Sequence, residues 1–371
     1  MRERHIHAAM DCIRNGNVRW LFQQAYKAMT IPLSQGLRRP LSGPIEGLIT
    51  PTYRCNSDCL MCDLKHRGAK ETELSLKEWF RVIDDLTALG VSGIGISGGE
   101  PLLSEHTVPI VRYVTGKRLP SHISSNGFLL SEEKAEQLID AGLGSIAVSI
   151  DSGDPKTNDF LRGVEGAFDL AVRGIQAAER ARKRMKGTDL RLTVAAVLSK
   201  QSLDTVFDLI RLARDLGADT VSFLPVMTSG IVFNREDRVE DLTFNREDIA
   251  RAHAVIDDLI TYKRREGIID NSVGFLKAMK SYFLGRPFPA TCFAGYTICV
   301  VGADGKIFPC FDFLEQDRSV GNVRDVDLKE FWWSEDYGKM RRVTARCRDC
   351  YLTCHQEFNL LYRFTGGIFS G

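Results

Sequence analysis

No stretch of this 371-residue chain approaches the ~20 consecutive apolar residues of a membrane-spanning helix, and its first residues lack the apolar core of a secretory signal. Both absences lead to the expectation of a cytoplasmic protein. An excess of either charge is missing too: 49 Lys and Arg stand against 48 Asp and Glu, a formal net charge of +1. A chain so balanced has no general attraction for nucleic acid or an anionic membrane, so nucleic acid is not expected as a partner. Cysteine is absent from the whole middle, between Asp63 and Thr291, and Cys12 stands alone near the start. What remains is an ordinary globular composition, 44% hydrophobic and 26% charged. The length suits two domains, or one large α/β domain with an appendage.

The remaining cysteines are grouped. Cys55-Asn56-Ser57-Asp58-Cys59-Leu60-Met61-Cys62 places three of them at spacings of four and three, just after an extended-looking apolar run. In a reducing compartment such grouping points to metal ligation rather than disulfides. A structural zinc site closes with four ligands, whereas three thiolates on a four-iron cubane leave one iron open. An iron–sulfur cluster is therefore preferred here, ahead of zinc or packed thiols.

Residues 1–44 read as a helical leader with an apolar docking face of Trp20, Leu21, Phe22, Ala25, Tyr26 and Met29, ended by Pro32, Pro40 and Pro44. Its basic residues, among them Arg14, Arg19, Lys27, Arg38 and Arg39, leave contact with a membrane surface as a weaker alternative. From Ile45 the pattern alternates. Strands are expected at 45–53, 92–96, 120–125, 145–150, 190–198 and 220–225. Helices are expected at 75–89, 104–115, 131–141, 167–184, 202–216 and 246–266, the first opened by a Ser75/Glu78 capping box. Six such units imply a parallel sheet with helices outside, too few to close an eight-unit barrel. The expected fold is α/β, a partial (β/α)6 parallel barrel over 45–270. Beyond 270 the helical units are expected to stop, giving way to a small cysteine-rich α+β domain over 271–371. It contains a hairpin of 297–301 and 306–309 around Ala303-Asp304-Gly305, with Cys292 and Cys310 near its base.

In parallel α/β folds the loops after the strands share one mouth. Here they are the cysteine loop, Ser97-Gly98-Gly99-Glu100-Pro101, Ser124-Ser125-Asn126-Gly127 and Ser149-Ile150-Asp151. In order and spacing these motifs resemble those of the radical S-adenosylmethionine (radical SAM) enzymes, over residues 45 to 270. The resemblance implies that Cys55, Cys59 and Cys62 hold a 4Fe-4S cluster whose open iron is chelated by the methionine half of S-adenosylmethionine. It implies close approach of Gly98 and Gly99 to that ligand, a turn fixed by Pro101, and Glu100 accepting hydrogen bonds from the ligand's amino group. It implies contacts of Ser125, Asn126, Ser149 and Asp151 with ribose or carboxylate, and of Arg162 with the carboxylate. Val197 and Leu224 would cup the adenine, near Met61, which replaces the aromatic many members carry. Reductive cleavage of the sulfonium would then yield a 5′-deoxyadenosyl radical that abstracts hydrogen from substrate.

The C-terminal region resembles the SPASM or twitch extension of these enzymes. Two fully cysteine-ligated clusters need eight thiolates, and only six lie between Cys292 and Cys354, so one auxiliary cluster, of the 4Fe-4S type, is expected. Its ligands are expected to be Cys292, Cys310, Cys347 and Cys350, with Cys354 as the alternative fourth. Cys299 is read as packed and His355 and Glu357 as a solvated helix turn. The implied activity is hydrogen abstraction from an unidentified small-molecule or peptide substrate, leading to oxidation, epimerisation or bond formation. An external electron donor such as flavodoxin or ferredoxin would supply the electron. The rival reading is a non-catalytic scaffold holding zinc or an inert cluster. Nothing resembles a cobalamin-binding domain, and the leader is too short for a peptide-recognition domain.

Overall fold

The computed structural model describes residues 18–62, 64–67, 72–185, 187–227, 242, 244–314, 318–348 and 350–366. Six short strands lie side by side and all parallel: β1 (Glu46–Ile49), β2 (Gly93–Ile96), β3 (Ser121–Ser125), β4 (Ser145–Ser149), β5 (Arg191–Leu198) and β6 (Thr220–Pro225). The helices, in chain order, are α1 (Val18–Gly36), α2 (Leu64–Arg67), α3 (Leu76–Ala88), α4 (Thr107–Gly116), α5 (Glu132–Asp140), α6 (Pro155–Arg162), α7 (Ala167–Arg184), α8 (Val206–Asp215) and α9 (Arg246–Glu266). After them come α10 (Val273–Phe283), α11 (Leu328–Phe331), α12 (Glu335–Thr344) and α13 (Thr353–Gly366).

The helices cover the sheet with apolar stripes. α3 buries Trp79, Val82, Ile83 and Leu86 at helical spacing and is opened by the Ser75/Glu78 capping box. With helices over it, the strand interior is almost wholly apolar, as in β4, where Ser145 to Val148 are all buried. The register pairs Ile49 with Ile96 and Ile96 with Ile123, so the first three strands end level. Their following loops therefore emerge together.

β1 does not pair with β6, so the barrel stays open, as expected from six units. The other neighbour of β1 is β7 (Ile298–Val301), parallel to it, with Glu46 opposite Ile298 and Ile49 opposite Val301. β8 (Lys306–Phe308) and β9 (Gly321–Asn322) follow antiparallel. The hairpin expected in a separate small domain thus extends one sheet to nine strands, in the order β6-β5-β4-β3-β2-β1-β7-β8-β9.

Three expectations need correction. Helical structure does not stop at 270, because α10 follows at once, capped by Ser272 and burying Phe275, Leu276 and Met279. α1 runs through Pro32 instead of ending there. Its apolar face is also misjudged: Phe22, Tyr26 and Met29 are 74%, 54% and 70% exposed. The buried face carries Lys27, Thr30, Ile31 and Ser34. Lys27 Nζ donates to the carbonyls of Pro44 and Gly90, and Ile31 joins an apolar cluster with Ile45, Phe293, Tyr296, Phe358 and Tyr362. Trp20 and Leu21 have side chains outside the described residues. Among the described residues no helix is long and apolar enough to cross a membrane.

Candidate functional site

Past the end of β1 five residues lead to Cys55, and the loop after β2 runs beside them. Ser97 N donates to Ile49 O (3.0 Å), Gly99 N to Thr52 O (3.0 Å) and Glu100 N to Arg54 O (2.8 Å). This approach explains both glycines. Gly98 has φ +125°, and a Cβ there would lie 2.2 Å from Thr50 Cγ2. At Gly99 a Cβ would meet Arg54 O at 2.2 Å and Tyr53 O at 2.6 Å. Both glycines are thus required by the close passage of residues 50–54.

Glu100 ties the second loop to the third. Its buried carboxylate accepts hydrogen bonds from Leu102 N (2.9 Å), Ser125 Oγ (2.8 Å) and Asn126 N (2.7 Å). Burial nevertheless holds its pKa above the usual carboxylate range, the three bonds opposing that shift. Asn126 reaches onward, donating from Nδ2 to Asn56 Oδ1 (2.7 Å) inside the cysteine loop. Pro101 begins a short 3₁₀ turn whose first residues Glu100 caps. Ser149 ends β4, half-buried.

The far side of the cysteine loop rests on α6, a helix absent from the sequence reading. Asp154 caps it with Pro155 in its first turn, a signal available in the sequence, and Gly163 closes it at φ +64°. A Cβ on Gly163 would lie 2.1 Å from Asp58 O. Leu60 N donates to Leu161 O (3.0 Å), and both Asp58 N (3.2 Å) and Ser57 Oγ (2.9 Å) donate to Arg162 O. The Arg162 guanidinium pairs with Asp151 Oδ1 at 2.7 Å and points Nη1 at Cys59 Sγ, 3.8 Å away. Asp151 Oδ1 also accepts from Val197 N (2.8 Å). Arg162, expected to meet the ligand carboxylate, is here paired with the protein carboxylate of Asp151. Asp151 Oδ2 and Arg162 Nε are buried without a hydrogen-bond partner among the described residues.

Cys55, Cys59 and Cys62 are all half-buried, and burial raises the Cys55 thiol. Ser57 Oγ lies 3.2 Å from Cys59 Sγ. Met61 is buried with Leu60, Leu161, Val226 and Leu242, and Val197 packs against that group. Leu224 packs instead against the main core.

The second cysteine set gathers at the base of the hairpin. Cys292 precedes β7, Cys310 follows β8, Cys347 follows α12 and Cys350 precedes α13. Cys292, Cys310 and Cys350 are buried and Cys347 is half-buried. Burial pushes the Cys292 thiol up to about 12, and neighbouring Cys347 and Asp312 push the same way. Cys310 and Cys350 are raised well above the ordinary thiol value, again by burial first and Asp312 next. The side chain of Cys354 lies outside the described residues. Cys299, fully buried in β7, is packed beside Tyr337. The expected solvated turn at 355–357 is corrected: His355 is 2% exposed, and Glu357 Oε1 accepts from Ser272 N (2.8 Å). Among the described residues no three or more His, Cys, Asp or Glu converge as a single metal ion would require.

The Radical SAM superfamily profile matches residues 49–194, and the iron–sulfur cluster-binding SPASM domain profile matches residues 292–351. An AdoMet-dependent heme synthase of Methanosarcina barkeri (strain Fusaro / DSM 804) is 27% identical over 318 residues, covering 81% of this chain and 86% of that protein. One of the same name from Oleidesulfovibrio alaskensis is 26% identical over 313 residues, covering 81% and 78%. Among solved structures, Streptococcus suis SuiB bound to precursor peptide SuiA superposes with TM-score 0.63 at 21% identity, over 81% of this chain and 67% of that one. Native anSMEcpe with bound AdoMet gives 0.62 at 15% identity, over 88% and 98%. These structures share the open parallel barrel.

Proposed function

Since the chain is a radical SAM enzyme with a SPASM-type iron–sulfur domain, we propose that it oxidises an organic substrate by hydrogen-atom abstraction, with an auxiliary cluster taking up the second electron. Such an enzyme uses a 4Fe-4S cluster, S-adenosylmethionine and an auxiliary iron–sulfur cluster. Together they supply the one-electron chemistry that generates the hydrogen-abstracting radical.

The donor sets fit these groups. Cys55, Cys59 and Cys62 lie in one loop, and the Arg162 guanidinium is directed at the Cys59 sulfur. The orphaned Asp151 Oδ2 and Arg162 Nε keep bonding capacity beside the same loop for a polar ligand. Gly98, Gly99, Glu100, Pro101, Ser125 and Asn126 set the shape of the mouth, with Ser149 at its rim. Met61 and Val197 give it an apolar wall that excludes water. In the second set, Cys292, Cys310, Cys347 and Cys350 are the candidate thiolates. Buried thiols with raised pKa values would keep their protons until a metal took their place on sulfur, the protons leaving to solvent, so loading and proton release are coupled.

One observation carries this reading: the cysteine loop is bonded by backbone on both flanks, to Glu100 on one side and to 161–162 on the other. A loop fixed in that way is preorganised for a cluster and its ligand. A haem-type tetrapyrrole is the first substrate candidate, because the two heme synthases are similar to this chain across about four fifths of its length.

Anaerobic reconstitution is expected to give about eight irons per chain, and reduction with S-adenosylmethionine to give 5′-deoxyadenosine. Replacing Cys55, Cys59 and Cys62 by Ala should abolish that product and leave about four irons. Zinc without sulfide, and no 5′-deoxyadenosine, would establish the scaffold reading instead. Deuterated tetrapyrrole precursors and peptides, offered in parallel with flavodoxin or ferredoxin as reductant, should reveal the substrate by transfer of label into 5′-deoxyadenosine. Label from a peptide alone would replace the tetrapyrrole assignment.

A further inference from the structure

α1 docks on the body through a largely polar side and leaves an apolar side uncovered among the described residues. Lys27, Thr30, Ile31 and Ser34 are buried, whereas Phe22, Tyr26 and Met29 recur at helical spacing on the opposite, exposed side. Half-buried Leu33 and the 61% exposed Leu37 continue that stripe to the end of the helix. The exposed parts of these side chains sum to roughly 500 Å². A contiguous apolar patch of that size is where partners or lipids bind.

Charge says which. Residues 12–45 hold five basic residues, Arg14, Arg19, Lys27, Arg38 and Arg39, and no Asp or Glu, in a chain that carries 48 of them. Lys27 is turned inward, but Arg38 and Arg39 are exposed at the end of the stripe, and neither belongs to an ion pair among the described residues. The turn that places them is strained. Arg39 N donates to Ser34 O (3.1 Å) and Arg38 N to Gln35 O (3.1 Å), the paired bonds of a helix end that ordinarily has glycine at its left-handed position. Here that residue is Arg38, at φ +54°. The balanced net charge of the whole chain does not cancel this local field, because screening confines charge effects to about 8–10 Å.

We propose that the exposed side of α1, Phe22, Tyr26, Met29, Leu33 and Leu37 with Arg38 and Arg39 at its end, is a docking face for an anionic lipid bilayer. The helix lies along the interface, its apolar side chains among the upper acyl chains and its two guanidiniums on lipid phosphates. On the opposite side Lys27 Nζ holds the carbonyls of Pro44 and Gly90, and Gln35 Nε2 holds Cys292 O. The helix therefore stays on the body, and the whole enzyme comes to the surface with it. A second copy of the chain fits less well. The patch falls short of the about 800 Å² per partner that a stable dimer buries, and two such faces offer each other's arginines no carboxylate.

The test is sedimentation of the full-length chain with vesicles of phosphatidylcholine, with and without phosphatidylglycerol, beside analytical ultracentrifugation of the chain alone. Binding is expected only to the vesicles that contain phosphatidylglycerol, and it should weaken as salt is raised. Arg38→Gln with Arg39→Gln should lower the affinity roughly 30-fold, and Phe22→Ser with Met29→Ser about 100-fold or more. Both double variants should keep the circular dichroism and melting temperature of the parent, which separates lost binding from lost folding. No binding to the anionic vesicles, equal binding to both kinds, or binding unchanged in either double variant overturns the assignment. A concentration-dependent dimer that Phe22→Ser with Met29→Ser abolishes, in a chain that ignores vesicles, overturns it in favour of a second copy.

Discussion

At Gly99 any side chain collides with backbone rather than with something that can swing away. Its Cβ would stand 2.2 Å from Arg54 O and 2.6 Å from Tyr53 O, one residue before Cys55. Gly99→Ala should therefore push the cysteine loop out of register, and iron should fall from about eight to about four per chain. Gly116→Ala is the control, since nothing lies within 4 Å of its Cβ, and both iron content and melting temperature should be unaffected. The Arg162–Asp151 pair makes a second residue-scale prediction. Both side chains are buried and joined at 2.7 Å, so Asp151→Ala strands a guanidinium and should cost about 3–5 kcal/mol, measured by urea unfolding. The motif Gly98-Gly99-Glu100-Pro101 was legible from its residues, but its contact with the preceding loop was not. Spacing along a chain does not show that residues 52–54 will press against residues 97–100.

Among the elements, α1 shows how helical periodicity misleads when a buried face is polar. Counting apolar residues selects Phe22, Tyr26 and Met29, yet those are solvent-facing, and the docked face is anchored by hydrogen bonds to carbonyls. Phe22→Ser with Met29→Ser should therefore change stability by no more than about 0.5 kcal/mol. Ile31→Ala, at 1% exposure, should cost about 2–4 kcal/mol in the same urea assay. Lys27 adds a pH dependence. Burial lowers its folded-state pKa from 10.5 to about 7, so between those values the unfolded chain binds more protons than the folded one. Stability should rise with pH through that window, by up to about 1.4 kcal/mol per pH unit, and flatten below pH 7. Measured as the difference from Lys27→Met at equal iron load, the slope isolates this one group; no difference in slope would mean that the two carbonyls keep the ammonium charged. The long helices of the barrel were legible because their apolar stripes run over several turns, as at 167–184, and at 246–266 an Asn245/Asp248 capping box marks the start as well. α6 has only 8 residues and α10 follows α9 closely, so neither offered a period long enough to stand out.

For the whole molecule, the decisive contact is the one between β1 and β7. Six parallel strands in sequence order follow from alternating local patterns, but the pairing of Glu46–Ile49 with Ile298–Val301 joins segments about 250 residues apart and leaves no local trace. It is reinforced along its length. Ile45 N donates to Thr297 O (2.7 Å), Thr50 N to Val301 O (3.0 Å) and Leu74 N to Ala303 O (2.7 Å). Trp332 Nε1 donates to Ser42 O (3.1 Å), and Gln35 Nε2 donates to Cys292 O (2.7 Å). The first cysteine set, and Cys292 and Cys310 of the second, thus flank neighbouring strands of one sheet. Removing everything after Asp270 would bare the β1 edge, with buried Leu48 and Ile49 beside it, and an unpaired apolar edge invites aggregation. A chain of residues 1–270 should therefore aggregate on size-exclusion chromatography and hold no cluster, although all three cysteines of the first set are present. Should it instead elute as a monomer with about four irons and make 5′-deoxyadenosine, the barrel folds alone and the C-terminal hairpin is an accessory. The sheet argues the other way: the strand that leads into Cys55 has β2 on one side and β7 on the other, and without the second neighbour the loop that holds the first cluster loses half of its footing.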